Sequence, residues 1–123
     1  MAIEARSVFP ATNETPAAVR RFVRDVVAQG TLECRVDDLD LLVSEVVTNA
    51  VLHGGGASVE VTVSDHGSAV RVGVVDSNPD QPVVGNPDPQ RPNGRGMLLV
   101  DRIATRWGTD VLPGKTKRVW FEC

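Results

Sequence analysis

Glu45, Asn49 and His53 recur every four residues in the otherwise apolar run Leu41-Leu42-Val43-Ser44-Glu45-Val46-Val47-Thr48-Asn49-Ala50-Val51-Leu52-His53. No other feature constrains the chain as tightly. The apolar residues return at helical intervals, so the run reads as a helix packed into a core. At 100° per residue the three polar groups fall within about 80° of arc, and Leu42 and Val46 share their side. Burying a polar group without a partner costs about 1–3 kcal/mol, and an unpaired carboxylate costs more, so the stripe is expected to line a cavity holding a ligand, a metal or water. The alternative at this point is a stripe that faces solvent.

A chain of 123 residues is the size of one domain and long enough to bury a core. Residues 1–123 are therefore read as a single domain. Net charge is −3, and the 13 basic residues are scattered apart from Arg20-Arg21 and Lys117-Arg118. That distribution gives no footprint for nucleic acid and disfavours anionic lipid. The start, Met1-Ala2-Ile3-Glu4-Ala5-Arg6, is acidic at once, and no run reaches about 18 apolar residues. The expectation is a cytoplasmic protein with no membrane span. Cys34 and Cys123 form neither a metal-ligand cluster nor a disulfide framework, and both are expected as free thiols.

Residues 3–9 pattern weakly as a strand stopped by Pro10. Thr15 reads as the cap of a helix with Pro16 in its first position, a one-sided stripe of Ala18, Phe22, Val26 and Val27, and Gly30 after its end. Asp37 or Asp38 opens the helix of the polar stripe, which stops at Gly54-Gly55-Gly56. Residues 57–64 and 69–75, valine-rich and separated by Asp65-His66-Gly67-Ser68, read as a hairpin. Residues 77–93 hold five of the eight prolines and show no periodicity, the mark of a functional lid or a disordered loop. Gly94-Arg95-Gly96 leads into a third amphipathic helix over 97–104, and residues 106–112 and 118–122 close the chain as strands around Pro113-Gly114-Lys115-Thr116. Helices and hairpins in blocks predict an α+β two-layer sandwich, with helices on one face of a mixed sheet.

Asp76 ends a strand before a turn, an ordinary place for aspartate, yet a carboxylate there can also accept a hydrogen bond from an exocyclic amine such as that of adenine. Two glycines before a helix uncover backbone N–H groups at the positive end of its dipole, where phosphate binds, although they serve equally to turn the chain. Gly114-Lys115-Thr116 resembles the end of a P-loop, but five residues separate Gly108 from Gly114 where the motif has four, and a strand follows where it needs a helix. His53-Gly54-Gly55-Gly56 lacks the Gly-x-Ser-x-Gly elbow an esterase needs. His53 and His66, the two histidines, lack partners at zinc-ligand spacing.

In order, Glu45-x-x-x-Asn49-x-x-x-His53-Gly54, then Asp76 at a strand end, then a variable loop, then Gly94-x-Gly96 opening a helix, resembles the ATP-binding domain shared by gyrase, histidine kinases and MutL, the GHKL superfamily with the Bergerat-type fold. The match runs from about residue 38 to the C-terminus. Val47-Thr48-Asn49-Ala50-Val51 and Gly94-Arg95-Gly96-Met97-Leu98-Leu99-Val100-Asp101 are most similar to the anti-sigma-factor serine kinases of bacteria, especially the small stand-alone versions of actinobacteria.

That resemblance implies an ATP- and Mg²⁺-dependent protein serine/threonine kinase acting on an anti-anti-sigma partner, and controlling or sequestering a sigma factor. A homodimer is among the assemblies it allows. It implies Asn49 as the Mg²⁺ ligand, Glu45 as general base for the substrate hydroxyl and Asp76 on the adenine amine. Gly94, Arg95, Gly96 and Met97 would stand at the phosphates, His53 would border them, and residues 79–93 would form the lid. The family's last strand opens with Gly-x-Thr supporting the adenine-binding aspartate, which points to Thr116. Two departures stand out. Asn78 and Asp80 replace glycines of the fuller motif, and Lys117 and Arg118 intervene between Thr116 and Val119. The alternative function is a catalytically silent nucleotide-binding module that switches a protein interface.

Overall fold

Alternating valines build the sheet. In the computed structural model, which describes residues 4–30, 34–54, 56–66, 69–76, 92–114 and 116–123 (side chains of His66 and 92–97 excepted), five strands form one sheet. They are β1 (Glu4–Pro10), β2 (Ser58–His66), β3 (Ala69–Asp76), β4 (Arg106–Leu112) and β5 (Thr116–Glu122), in spatial order β1-β2-β3-β5-β4. Val59, Val61 and Val63 of β2, Val70, Val72 and Val74 of β3, and Val119 and Phe121 of β5 point to one face and are buried there. Their intervening neighbours face the other way, as the period of two requires.

Among the described residues, three helices cover the valine face: α1 (Thr15–Val27), α2 (Val36–His53) and α3 (Pro92–Ile103). From α1, Val19, Val23 and Val26 enter the core, and Phe22 meets Phe9 of β1 edge-on at 5.7 Å. From α2, Leu39, Leu42, Val43, Val46, Val47 and Ala50 do the same. The α1–α2 seam is closed by polar pairs: Arg24 forks onto Asp40, with Nε donating to Oδ1 at 2.8 Å, and Arg20 Nη1 donates to Ser44 Oγ at 2.8 Å.

The expected two-layer α+β architecture is observed, but the sheet is antiparallel throughout rather than mixed. Two helices separate β1 from β2, so the chain reverses three times and returns antiparallel. Strands β3 and β4 run the same way, because β5 lies between them and pairs antiparallel with both. The free-thiol expectation is also corrected. Cys34 and Cys123 are joined, with Cα atoms 5.4 Å apart across 89 residues of sequence. The end of β5 continues its ladder as Cys123 exchanges backbone hydrogen bonds with Val70, which carries the last residue to the α1–α2 connection.

Smaller shifts have local causes. Thr15 is the first residue of α1 and does not cap it: its buried hydroxyl donates to the Pro10 carbonyl and accepts from Thr12 N–H at 2.9 Å. Pro10 belongs to β1, which tolerates it because β1 is an edge strand. Among the described residues, no helix is long and apolar enough to cross a membrane. The lid expected over 79–93 falls almost wholly outside the described residues, as do Asn78 and Asp80.

Candidate functional site

Helix α2 sets the geometry. Asp40 and Ser44 face α1, and Asn49 and His53 each stand nine residues further on, about 180° around the helix. The Glu45/Asn49/His53 stripe therefore occupies the flank turned away from α1, and α3 packs against the same helix. Glu45 and Asn49 are half-buried and His53 is exposed, so the stripe is the rim of the core and neither its centre nor a fully solvated face. Partial burial removes water from the Glu45 carboxyl and raises its pKa above the ordinary carboxylate value.

The C-terminal end of α2 is pressed onto β3. A Cβ built on Gly54 would lie 2.9 Å from Asp76 Cβ and 2.3 Å from the Ala50 carbonyl oxygen, so only glycine lets helix and strand approach this closely. Asp76, the last residue of β3, is thus held beneath the end of the helix that carries Asn49 and His53, and it is 4 % exposed. Directly across the ladder stands Lys117, whose Nζ lies 3.9 Å from Asp76 Oδ1. An ionised aspartate at this depth needs such a counter-charge.

Thr116, expected beside Asp76, is elsewhere. Its hydroxyl donates to the Pro113 carbonyl at 3.1 Å, within the turn that Gly114 closes at φ +81°. Val119 and Phe121 fix the inward phase of β5, and counting back by two reaches Lys117 and bypasses Thr116. That alternation was the signal in the sequence for a residue the motif comparison missed. Gly94 and Gly96 also sit differently from expectation, because α3 begins at Pro92 and contains both. Proline suits a first helical position, where its missing N–H costs nothing. The N–H groups of Asn93 and Gly94 then fall among the four that an α-helix leaves without internal acceptors, and remain suited to phosphate oxygens.

Helix α2, β3 and β5 thus bring Asn49, His53, Gly54, Asp76 and Lys117 to one end of the sandwich, with Glu45 two turns further along α2 from His53. Among the described residues no three His, Cys, Asp or Glu side chains converge as a metal cage. A hard cation here would be held through an amide oxygen and its own waters, the coordination Mg²⁺ favours.

The sequence matches the family model described as histidine kinase-like ATPase domain over residues 9–117. Among solved structures, the chain is similar to the RsbU and RsbW domains of Rv1364c from Mycobacterium tuberculosis, with a TM-score of 0.69 and 19 % identity. The similarity covers 97 % of this chain and 31 % of that one, so the present chain spans about a third of that structure. No curated protein matches it.

Proposed function

The chain belongs to the histidine kinase-like ATPase domain family, and on that premise we propose that it binds ATP with Mg²⁺ and phosphorylates a serine on an anti-anti-sigma-type partner in the cytoplasm, thereby controlling a sigma factor. The observation that carries this reading is Glu45, a half-buried carboxyl one helical turn before Asn49 whose pKa is raised by loss of water. A nucleotide binder has use for Asn49 but none for a base at that position. A proton acceptor works best with a pKa moved toward the operating pH, and desolvation moves Glu45 in that direction.

The residues present fit the nucleotide. Asp76 accepts a hydrogen bond from the exocyclic amine of the base, in the close approach that Gly54 permits. The first-turn N–H groups of α3 at Asn93 and Gly94 meet the phosphates, Arg95, Gly96 and Met97 continue that helix, and His53 borders the phosphate end. Asn49 supplies the amide oxygen for Mg²⁺, which when bound neutralises phosphate charge. In transfer the serine oxygen bonds to the γ-phosphorus while the bond to the β,γ-bridging oxygen breaks and ADP departs with that electron pair. The hydroxyl proton passes to Glu45.

The test is incubation with labelled ATP, Mg²⁺ and candidate partners, with Glu45→Gln beside the wild type. Transfer should fall by about 10²–10⁴-fold while ATP binding stays nearly intact. Because ionised Glu45 is penalised in the folded state, Glu45→Gln should leave the melting temperature at neutral pH unchanged or raise it. Loss of folding or of ATP binding would make the carboxylate structural. A wild type that binds ATP and a confirmed partner without transfer would establish the silent nucleotide switch instead.

A further inference from the structure

Lys117 is nearly sealed from water on the helix side of the sheet, its side chain 4 % exposed and that of Asp76 3 %. The two face each other across the β3–β5 ladder, against the end of α2 that Gly54 brings down onto Asp76. A long cationic side chain is rarely placed so deep. A buried ion pair is in general no more stable than an apolar pair of the same volume, so stability alone is a poor reason for it.

We infer that Lys117 is a specificity-determining residue of the nucleotide site, donating a hydrogen bond to ring nitrogen N1 of adenine while Asp76 accepts from the neighbouring 6-amino group. This rests on the nucleotide-binding reading above and names how the base is chosen. An ionised carboxylate only accepts and an ammonium only donates. Side by side they present one acceptor and one donor, the complement of adenine's edge, where the amine donates and N1 accepts. A 6-oxopurine shows the reverse order at the same two positions. The ammonium has three hydrogens on a flexible stem, so it serves Asp76 and a ring nitrogen together.

The experiment compares binding of ATP and 1-deaza-ATP, in which N1 is replaced by C–H, to the wild type, Lys117→Gln and Lys117→Met. A hydrogen bond to a charged donor is worth about 10–100-fold in affinity. The wild type should prefer ATP by that factor, Lys117→Gln should keep part of the preference, and Lys117→Met should lose it to within about twofold. Equal binding of the two nucleotides by the wild type overturns the inference without any variant, which covers the case of a Lys117→Met chain that does not fold. An undiminished preference in Lys117→Gln or Lys117→Met overturns it as well, because another group must then read N1. If the wild type binds neither nucleotide, the nucleotide reading itself falls and takes this inference with it. If it binds ATP but ignores N1, only the role of Lys117 falls.

Discussion

Glu122 and Glu45 are moved in opposite directions by their surroundings, and each shift has a consequence that pH can expose. Glu122 lies on the sheet face away from the helices. There Arg106 donates from Nε and Nη2 at 3.1 and 3.0 Å, Arg71 donates from Nε at 2.9 Å, and Arg71 stacks 4.0 Å from the Trp120 ring. The hydrogen bonds from Arg106 come first in lowering its pKa, which falls to about 2, with Arg71 adding to them against the cost of burial. A carboxylate with a depressed folded-state pKa contributes stability above its ordinary value of 4.5 and loses it as pH falls toward 2. The contribution is roughly 2 kcal/mol, less than the full shift because Arg106 is largely in water. Glu122→Gln should therefore lower the melting temperature at pH 7 and flatten its decline between pH 5 and 2, as urea unfolding across that range would report. An acid limb as steep as the wild type's would assign acid sensitivity to other groups. Glu45 has the opposite sign: its stability contribution is complete below the ordinary carboxylate pKa and is lost as pH rises through the raised one.

The end of helix α2 and the last residue of β3 make one packed unit, because Gly54 leaves no space between them. Gly54→Ala would push a methyl against the Ala50 carbonyl and Asp76 Cβ, both backbone-anchored. The helix end must then lift, at a cost of about 1–3 kcal/mol. The variant should melt lower and show a smaller rise in melting temperature on addition of ATP and Mg²⁺ than the wild type, since that rise follows RT ln(1 + [L]/Kd). An undiminished rise would separate Gly54 from the site. Elements of this kind are partly legible in the sequence. The stripe on α2 follows from its spacing, and the valine alternation marks β2 and β3 to within a few residues, because both depend on local periodicity. The start of α3 is not, since a proline-rich run has no period and Gly94 and Gly96 read as a lead into the helix that contains them. The phase of β5 was written in Val119 and Phe121, but comparison by motif favoured Thr116 over Lys117.

Across the whole molecule the two sheet faces carry different duties. Among the described residues, one holds the valine core under three helices, with the candidate site at its margin, while the other carries Arg71, Trp120 and Glu122 without a helical cover. Neither face reveals the tie between Cys34 and Cys123, and the sequence could not, because 89 residues separate two cysteines whose meeting depends on β5 pairing with β3. Closing a loop of that length restricts the unfolded chain by about 4–5 kcal/mol in the chain-entropy view. Reduction, or Cys34→Ser, should thus lower the melting temperature by on the order of 10 °C. Cys123 stands six residues along the chain from Lys117, roughly 20 Å of strand, so the loss should fall on stability and spare the nucleotide site. Calorimetry with and without reductant, beside ATP titration of the reduced protein at a temperature where it remains folded, separates the two effects. An unchanged melt would mean that the bond adds nothing to the fold, and a loss of ATP affinity in the folded, reduced chain would show that the tie reaches the site through β5.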